Sequence, residues 1–196
     1  LYNPVLNEET GTKFYQIEDN YDVYFLQHPY WGNIWFRNKW MMFKEYLATY
    51  QKNPVILPNN VAAWGDKSFK QKYIQYLIET NRTVVTARVS VVTNNGYSGL
   101  HNDDGLYMYQ SVLKLKGDKY RFPHVSESIA CYDAYEEISP EILKKLNKKL
   151  CQFDFEMDIN GTKTEYQKAY VITSRTCKTP IMKFSSLMKP TETSIV

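Results

Sequence analysis

The sequence predicts an α+β fold with mixed or antiparallel strands and about three amphipathic helices. From Phe36 to Tyr50, aromatic and aliphatic residues recur every three or four positions, which is typical of one face of a helix. Residues 83–92 are rich in β-branched side chains and are typical of a buried strand. From Phe153 onward, short strand-like segments alternate with turn signals. Helical and strand patterns therefore occupy separate stretches of the chain.

The first quarter of the chain is predicted to form a polar entry, a short strand and a helix. Residues 1–22 are polar and indicate loop or edge structure. The apolar run 24–26 is ended by His28-Pro29. The helix that carries the apolar face from Phe36 to Tyr50 is expected to end at Asn53-Pro54, and residues 55–57 are predicted to form a short strand.

A second amphipathic helix is predicted before the β-branched run. Either Asp66 or Ser68 can serve as its N-cap, because both side chains can accept a hydrogen bond from the first turn. Residues 106–115 could form a helix or a strand, and periodicity does not decide between them. The apolar side of the second helix consists of Phe69, Tyr73, Tyr76, Leu77 and Thr80.

The third helix has the clearest start signal in the chain. Ser139 is a typical cap, and Pro140 suits the first helical position because it lacks a backbone N–H. A turn at Asn160-Gly161 is then predicted to join the strands of a β-hairpin. The apolar side of this helix is Ile142, Leu143, Leu146 and Leu150, its solvated side is Lys144, Lys145, Lys148 and Lys149, and the strands that follow are predicted at 153–159, 169–173 and 181–184.

Composition limits the class of protein. The 196 residues are 43% hydrophobic and 23% charged, as in an ordinary globular domain. A net charge of +3 and a pI near 8.6 are too mild to indicate a nucleic-acid partner. Three cysteines without metal-binding spacing favour a reducing compartment, the cytoplasm. No apolar run reaches the roughly 20 residues of a membrane span, no signal peptide is recognisable, and the start at Leu1 suggests a processed product or an excised piece.

A glycine-rich segment after the β-branched run is the strongest candidate for a binding site. Gly96 and Gly99 allow a ligand to approach the backbone closely, and Asn94 and His101 supply polar groups just beyond the predicted strand. With the two aspartates at 103–104, His101 could bind Mg²⁺ or Mn²⁺. The alternative is a solvated loop tip, since Asn-Asp-Asp-Gly is also turn chemistry.

An aromatic cluster precedes the first helix. Trp31, Gly32 and Trp35 are followed by Arg37 and Trp40. Such a block could form a platform on which a sugar ring or a base stacks. The alternative is a helix entry whose tryptophans anchor the core, and both interpretations stay open.

Taken together, these motifs resemble the C-terminal half of bacterial, Bacteroides-type family 2 glycosyltransferases. The resemblance rests on the Trp-Gly-x-x-Trp block at 31–35 and on Asn-x-Gly-x-x-Gly-x-His at 94–101, and it covers most of residues 22–196. Two positions depart from the family pattern: Tyr30 stands where it has serine, and Ala87 or Arg88 where it has proline. The family's nucleotide-binding half with its Asp-x-Asp motif is absent.

The resemblance implies a fold and an activity. The chain would be the C-terminal part of a GT-A-like enzyme, with a connecting segment at 1–22, an acceptor-side part at 23–125, and a helix and β-hairpin extension at 126–196. The implied reaction transfers a sugar from a nucleotide-sugar donor to a glycan or lipid-linked acceptor in surface polysaccharide synthesis. The isolated fragment is expected to be inactive. A non-catalytic carbohydrate-binding or interaction module, or a structural domain, is the alternative.

The same resemblance assigns provisional roles. A divalent Mn²⁺ or Mg²⁺ is expected in the full-length enzyme, with His101 as a ligand. Asp19 and Asp22 are candidate catalytic bases, and an exposed acidic loop is the favoured alternative for them. The expected location is the cytoplasm or the inner face of the membrane, without nucleic acid, and the oligomeric state is left open. The implied substrate-binding residues are Trp31, Gly32, Trp35, Arg37, Asn94, Gly96 and Gly99.

Overall fold

The described part of the chain is a mixed α/β structure with four α-helices and two small β-sheets. The predicted α+β class is therefore confirmed in general terms. None of the helices in this part is long and apolar enough to span a lipid bilayer. The computed structural model describes residues 2–4, 6–50, 56–65, 67–93, 110–114 and 119–196.

The larger sheet has the strand order β2-β1-β3, with β1 (Val23–Leu26) in the centre. β2 (Val84–Ala87) pairs with β1 in antiparallel orientation, and β3 (Cys131–Tyr132) pairs with it in parallel. All four residues of β1 are buried, as expected for a central strand. The predicted buried strand at 83–92 is wrong in extent: β2 ends at Ala87, and Val85 is 41% exposed at its position next to the groove described below.

The first two predicted helices are present. α1 (Arg37–Ala48) and α3 (Phe69–Glu79) pack against each other, and a short α2 (Asn59–Ala62) lies between them in sequence. The predicted apolar face of the first helix is only partly buried, because Phe43 is enclosed whereas Phe36 is 69% exposed. Of the predicted strand at 55–57, residues 56 and 57 are not in a strand, and residue 55 lies outside the described residues.

The third predicted helix begins where expected but is shorter. α4 (Pro140–Leu146) starts after Ser139 and ends at Leu146, because the backbone of the next residue, Asn147, is extended. The Asn147 side chain accepts a hydrogen bond from the N–H of Lys149 and starts a separate 3₁₀ turn, Lys148–Gln152. Leu150 is still buried, so the apolar pattern predicted its burial correctly although the helix does not reach it.

The predicted C-terminal hairpin is wrong. β4 (Phe155–Asp158) and β5 (Tyr170–Thr173) pair in parallel, so the chain must cross back between them. A turn does follow β4, with Gly161 at a positive φ of 66°. The turn is bonded to Glu137, because the carboxylate of Glu137 accepts the N–H of Asn160 at 2.7 Å. Residues 181–184 form no strand.

The largest apolar core joins distant parts of the chain. Tyr24 on β1 meets Tyr132 on β3 edge to face at 6.1 Å, and both pack in one cluster with Phe155 and Ile195. A second cluster around Phe43 fills the space between α1 and α3. These two cores fix the relative positions of the sheet, α3 and α4, which form the walls of the groove described next.

Candidate functional site

A groove of about 1210 Å³ is the main candidate site in the described part of the chain. It lies between the segment that leads into α1, the side of α3 that carries Tyr73, Tyr76 and Leu77, the larger sheet and the start of α4. A hollow of this kind, mainly apolar with a few polar groups, is the usual form of a small-ligand site. Its aromatic lining residues are Phe25, Trp35, Phe36, Tyr73, Tyr76, Phe122 and Tyr132.

The aromatic wall is held in place by ring packing. The Trp35 ring lies 4.4 Å from that of Tyr73, centroid to centroid, and 5.8 Å from that of Phe43. Helical spacing explains the arrangement, because Phe69, Tyr73 and Tyr76 follow one another at intervals of four and three residues on α3. Trp35 is therefore fixed on one side by the core and borders the groove.

Polar groups line the groove beside the aromatic wall. Arg82 follows the end of α3, and its Nη1 donates to the Tyr76 hydroxyl at 2.5 Å. Its guanidinium also lies over the Tyr76 ring at 5.6 Å, which restricts its rotamers. The Asn33 amide donates to the carbonyl of Tyr30 at 2.7 Å, so it too is oriented. Arginine and amide groups of this kind can hydrogen-bond to ligand hydroxyl or phosphate groups.

Two further polar residues come from the carboxyl ends of neighbouring parallel strands. Gln27 follows β1, and Asp133 follows β3. The Asp133 carboxylate accepts the backbone N–H groups of Tyr135 and Glu137 at 2.8 and 2.9 Å, which fixes its orientation in a tight turn. Burial raises the pKa of Asp133 above its usual value. Asp133 is therefore a fixed carboxylate in the groove lining that is more basic than an exposed one.

A smaller hollow of about 390 Å³ adjoins the groove and shares Gln27 and Asp133 with it. Its lining is rich in carboxylates. The ammonium group of Lys163 lies 3.4 Å from Asp133 and 3.7 Å from Glu156, and 4.8 Å from the centre of the Tyr135 ring. Lys163 thus offsets part of the negative charge behind Asp133.

The structure separates the aromatic residues that the sequence grouped together. Trp35 lines the groove, whereas Trp31 packs edge to face on Tyr2 at 5.1 Å and is 42% exposed. Gly32 takes a positive φ of 68°, a backbone conformation that explains glycine there. Arg37 is the exposed first residue of α1. Among the described residues of the groove lining, this block contributes Trp35 but not Trp31, Gly32 or Arg37.

The two candidate bases, Asp19 and Asp22, precede β1, at the opposite end of the strand from Gln27. Asp19 binds Arg88 at 2.9 Å and accepts the hydroxyl of Ser128 at 2.9 Å. The backbone N–H of Arg121 donates to Asp22 at 2.7 Å and holds the pKa of that carboxyl below its usual value. Both carboxylates thus hold other parts of the chain together at this end of the sheet.

The predicted glycine-rich site, Asn94, Gly96, Gly99 and His101, lies outside the described residues. Its described flanks are joined, because the Ser111 hydroxyl donates to the Ser90 hydroxyl at 2.8 Å and the Ser111 N–H donates to Thr93 at 2.9 Å. Half of the undecided element at 106–115, residues 106–109 and 115, is likewise outside the described residues. Within the residues that are described, no three histidine, cysteine or acidic side chains are grouped to hold a metal ion.

A separate polar cluster is buried behind β1. His28 is only 2% exposed, with its Nε2 3.5 Å from Glu8, and its ring stacks on Tyr30 at 4.9 Å. The Tyr30 hydroxyl donates to Glu136. Burial lowers the pKa of His28 and raises that of Glu136 to about 8, so both are mainly neutral at pH 7. The cluster joins β1 to the turn after β3.

Arg82 and Asp133 were missed at the sequence level. A signal for Asp133 was present, since it follows the apolar run 129–132 directly, as a carboxylate at a strand end would. That run is short and its strand, β3, has two residues, so it did not stand out from the surrounding loop. Arg82 carries no local signal, because its place depends on how α3 packs.

Comparisons with known proteins return no significant relative. No protein-family model matches the sequence, and neither the curated proteins nor the solved structures contain a significant match.

Proposed function

We propose that the groove binds sugar residues and that the chain forms the acceptor side of a glycosyltransferase that uses a nucleotide-sugar donor. The observation that carries the proposal is the fixed aromatic wall of Trp35 and Tyr73 with Asn33, Arg82 and Asp133 in the same groove lining. The motif resemblance of residues 31–35 and 94–101 supports the reaction class.

The chemistry of the lining suits a carbohydrate. One face of a pyranose ring carries C–H groups that pack on an aromatic face, while its hydroxyl groups need directional partners. Trp35 supplies the aromatic face, and Asn33 and Arg82 supply oriented donors. A purely apolar ligand would leave these polar groups desolvated without partners, which is costly.

For a transfer reaction, we propose Asp133 as the general base. An inverting transfer needs a carboxylate that removes the proton of the attacking acceptor hydroxyl. Asp133 lines the groove, two backbone N–H groups orient it, and burial raises its pKa above the usual value. Asp19 and Asp22 are not among the groove-lining residues and precede β1, at its opposite end, which makes them weaker candidates.

A non-catalytic carbohydrate-binding module is the second candidate. The observation that favours it is that the aromatic wall and the polar groups of the groove suffice to grip a sugar without a base. The two functions share the groove and differ in whether Asp133 takes part in chemistry.

Titration of the chain with a panel of oligosaccharides, followed by NMR or calorimetry, tests the binding site. We expect Trp35→Ala to weaken binding of the best ligand about fivefold or more, because truncating a central aromatic contact typically costs over about 1 kcal/mol. Tyr15→Ala is the matched control, since Tyr15 is a 42% exposed aromatic outside the groove lining. Equal binding by the Trp35→Ala and Tyr15→Ala variants, with both folded by circular dichroism, would refute the sugar site.

Asp133→Asn separates the enzyme from the binding module. The amide keeps an oxygen that accepts the two backbone N–H groups, so folding and sugar binding should persist. In the full-length polypeptide, sugar transfer should fall about 100-fold or more, the usual contribution of a general base. Transfer at the wild-type rate would exclude Asp133 as the base, and absence of transfer in the wild type with intact binding would favour the module.

A further inference from the structure

An exposed surface around the start of α1 combines apolar and basic side chains. We call it the α1 surface. Ile34 and Phe36 are 67% and 69% exposed, far more than large apolar side chains usually are in a folded domain. The α1 surface consists of Ile34, Phe36, Trp40, Met41 and Phe69, with the exposed cations Arg37, Lys39 and Lys44.

The apolar members of the α1 surface are contiguous. The N–H of Trp40 donates to the carbonyl of Phe36 at 2.9 Å, so these two residues lie one helical turn apart on the same side. The Trp40 and Phe69 rings are 6.1 Å apart, which brings the start of α3 into the surface. Large contiguous apolar patches on a folded domain usually mark an interaction site.

The α1 surface carries net positive charge, and Glu45, the one acidic residue of α1, is exposed beside Lys44. No acidic residue occurs in the sequence from Trp31 to Lys44. Arg37 and Lys44 are seven residues apart and therefore share one side of α1, with Met41 between them. Aromatic and aliphatic side chains interspersed with cations are the composition of surfaces that lie in a membrane interface.

We propose that the α1 surface docks on an anionic lipid bilayer. Cations would contact the lipid headgroups, and Ile34, Trp40 and Met41 would enter the boundary with the acyl chains. A symmetric contact with a second copy is disfavoured, because it would place two surfaces of net positive charge against each other. Exposed aliphatic groups such as Ile34 argue against nucleic acid, which offers phosphates and stacking faces.

Docking of the α1 surface on a bilayer is a function distinct from sugar binding, and it can be tested without any sugar. It also has a geometric consequence for the groove. Ile34, Phe36 and Lys39 belong both to the α1 surface and to the groove lining, so docking would place the groove beside the headgroups. An acceptor sugar carried on a lipid would then reach Trp35 from the bilayer.

Co-sedimentation with vesicles tests the docking. The full chain should bind vesicles of phosphatidylcholine mixed with phosphatidylglycerol and bind pure phosphatidylcholine much more weakly. The double charge reversal Arg37→Glu/Lys44→Glu should weaken binding at least tenfold, given about fivefold for each basic residue lost near the surface. Lys148→Glu/Lys149→Glu is the matched control, because these lysines are exposed on the 3₁₀ turn after α4 and the net charge changes equally.

The apolar contribution has its own control. Ile34→Ser/Met41→Ser should weaken vesicle binding, whereas Ile181→Ser/Leu187→Ser, which alters residues elsewhere that are as exposed or more so, should leave it unchanged. Equal losses in the α1-surface variants and their controls would overturn the proposal, as would failure of the wild type to bind anionic vesicles. Dimerisation in analytical ultracentrifugation that Arg37→Glu/Lys44→Glu abolishes, without vesicle binding, would assign the surface to a second copy instead.

Discussion

Two adjacent buried carboxyls, Glu136 and Glu137, are the least ordinary residues in the structure. Glu136 accepts the Tyr30 hydroxyl, and Glu137 accepts the N–H of Asn160 at 2.7 Å. Burial raises the pKa of each from 4.5 to about 8. In the sequence they follow Tyr135 as an acidic pair that belongs to no recognisable motif. Their burial depends on partners far along the chain, which no local pattern shows.

The two carboxyls predict a pH dependence of stability. Their folded pKa values exceed the unfolded value, so the folded state binds more protons between about pH 4.5 and pH 8. The free energy of unfolding should therefore fall across this window, by on the order of 5 kcal/mol per carboxyl, and level off above it. Urea unfolding at pH 5, 6, 7 and 8 measures the slope.

Glu136→Gln should remove about half of that slope, because the amide can still accept the Tyr30 hydroxyl but does not titrate. Glu141→Gln is the control, since this carboxylate is 75% exposed and should leave the slope as it is. A stability that rises from pH 5 to pH 8 would contradict the assignment of both raised pKa values.

The candidate site shows what residue-level prediction can reach. A motif was sufficient to select Trp35, which does line the groove. The structural role of Asp19 was not predictable, because its partners Arg88 and Ser128 lie 69 and 109 residues further along the chain. Asp133 was missed because its orientation comes from backbone N–H groups, which carry no residue-type signal.

The helix starts show the same limit at the scale of elements. Ser68 and Ser139 both match the N-cap pattern, and both do precede helices, α3 and α4. Only Ser68 uses its side chain, which accepts the N–H of Gln71 at 3.2 Å. The Ser139 side chain makes no cap hydrogen bond, and Pro140 already fixes the first turn of α4.

Ser68→Ala should therefore destabilise the protein by about 1 kcal/mol, the usual value of an N-cap, and Ser139→Ala by much less. For a chain of this size that difference corresponds to a Tm decrease of about 2–4 °C. Differential scanning calorimetry of the two variants measures it. Equal Tm decreases would show that the cap hydrogen bond of Ser68 contributes nothing.

Strand pairing was the least predictable feature of the elements. The locations of β4 and β5 followed from apolar alternation, but their parallel orientation did not. The Asn160-Gly161 turn favours a hairpin locally. Bonds from Asn160 to Glu137 and Tyr135 override that preference, and they depend on tertiary contacts 23 and 25 residues back in the chain.

At the scale of the whole molecule, the main core gathers residues from all three segments into which the sequence was divided. Tyr2, Tyr24 and Ile195 belong to the same cluster. The Asn147 side chain also donates to the carbonyl of Ile195 at 2.7 Å, which anchors the last turn beside α4. Composition predicted a substantial core, but its membership depended on the fold.

Ile195→Ala should lower the free energy of unfolding by about 2–3 kcal/mol, since it removes a fully buried side chain and leaves a cavity. Leu187→Ala is the control. Leu187 is 90% exposed, and its truncation should change stability by less than about 0.5 kcal/mol. Chemical denaturation of both variants compares them, and a loss in the Ile195→Ala variant as small as the control's would exclude the last turn from the core.

The position of β1 has a consequence for biosynthesis. Phe25 of β1 pairs with Cys131, which is synthesised more than one hundred residues later. At roughly 5 to 20 residues per second, translation leaves this strand without its parallel neighbour for roughly 5 to 20 s. During that interval the nascent chain exposes an apolar strand on the ribosome. Growth temperature, which sets the rate of translation, and the supply of chaperones should therefore affect the yield of folded protein.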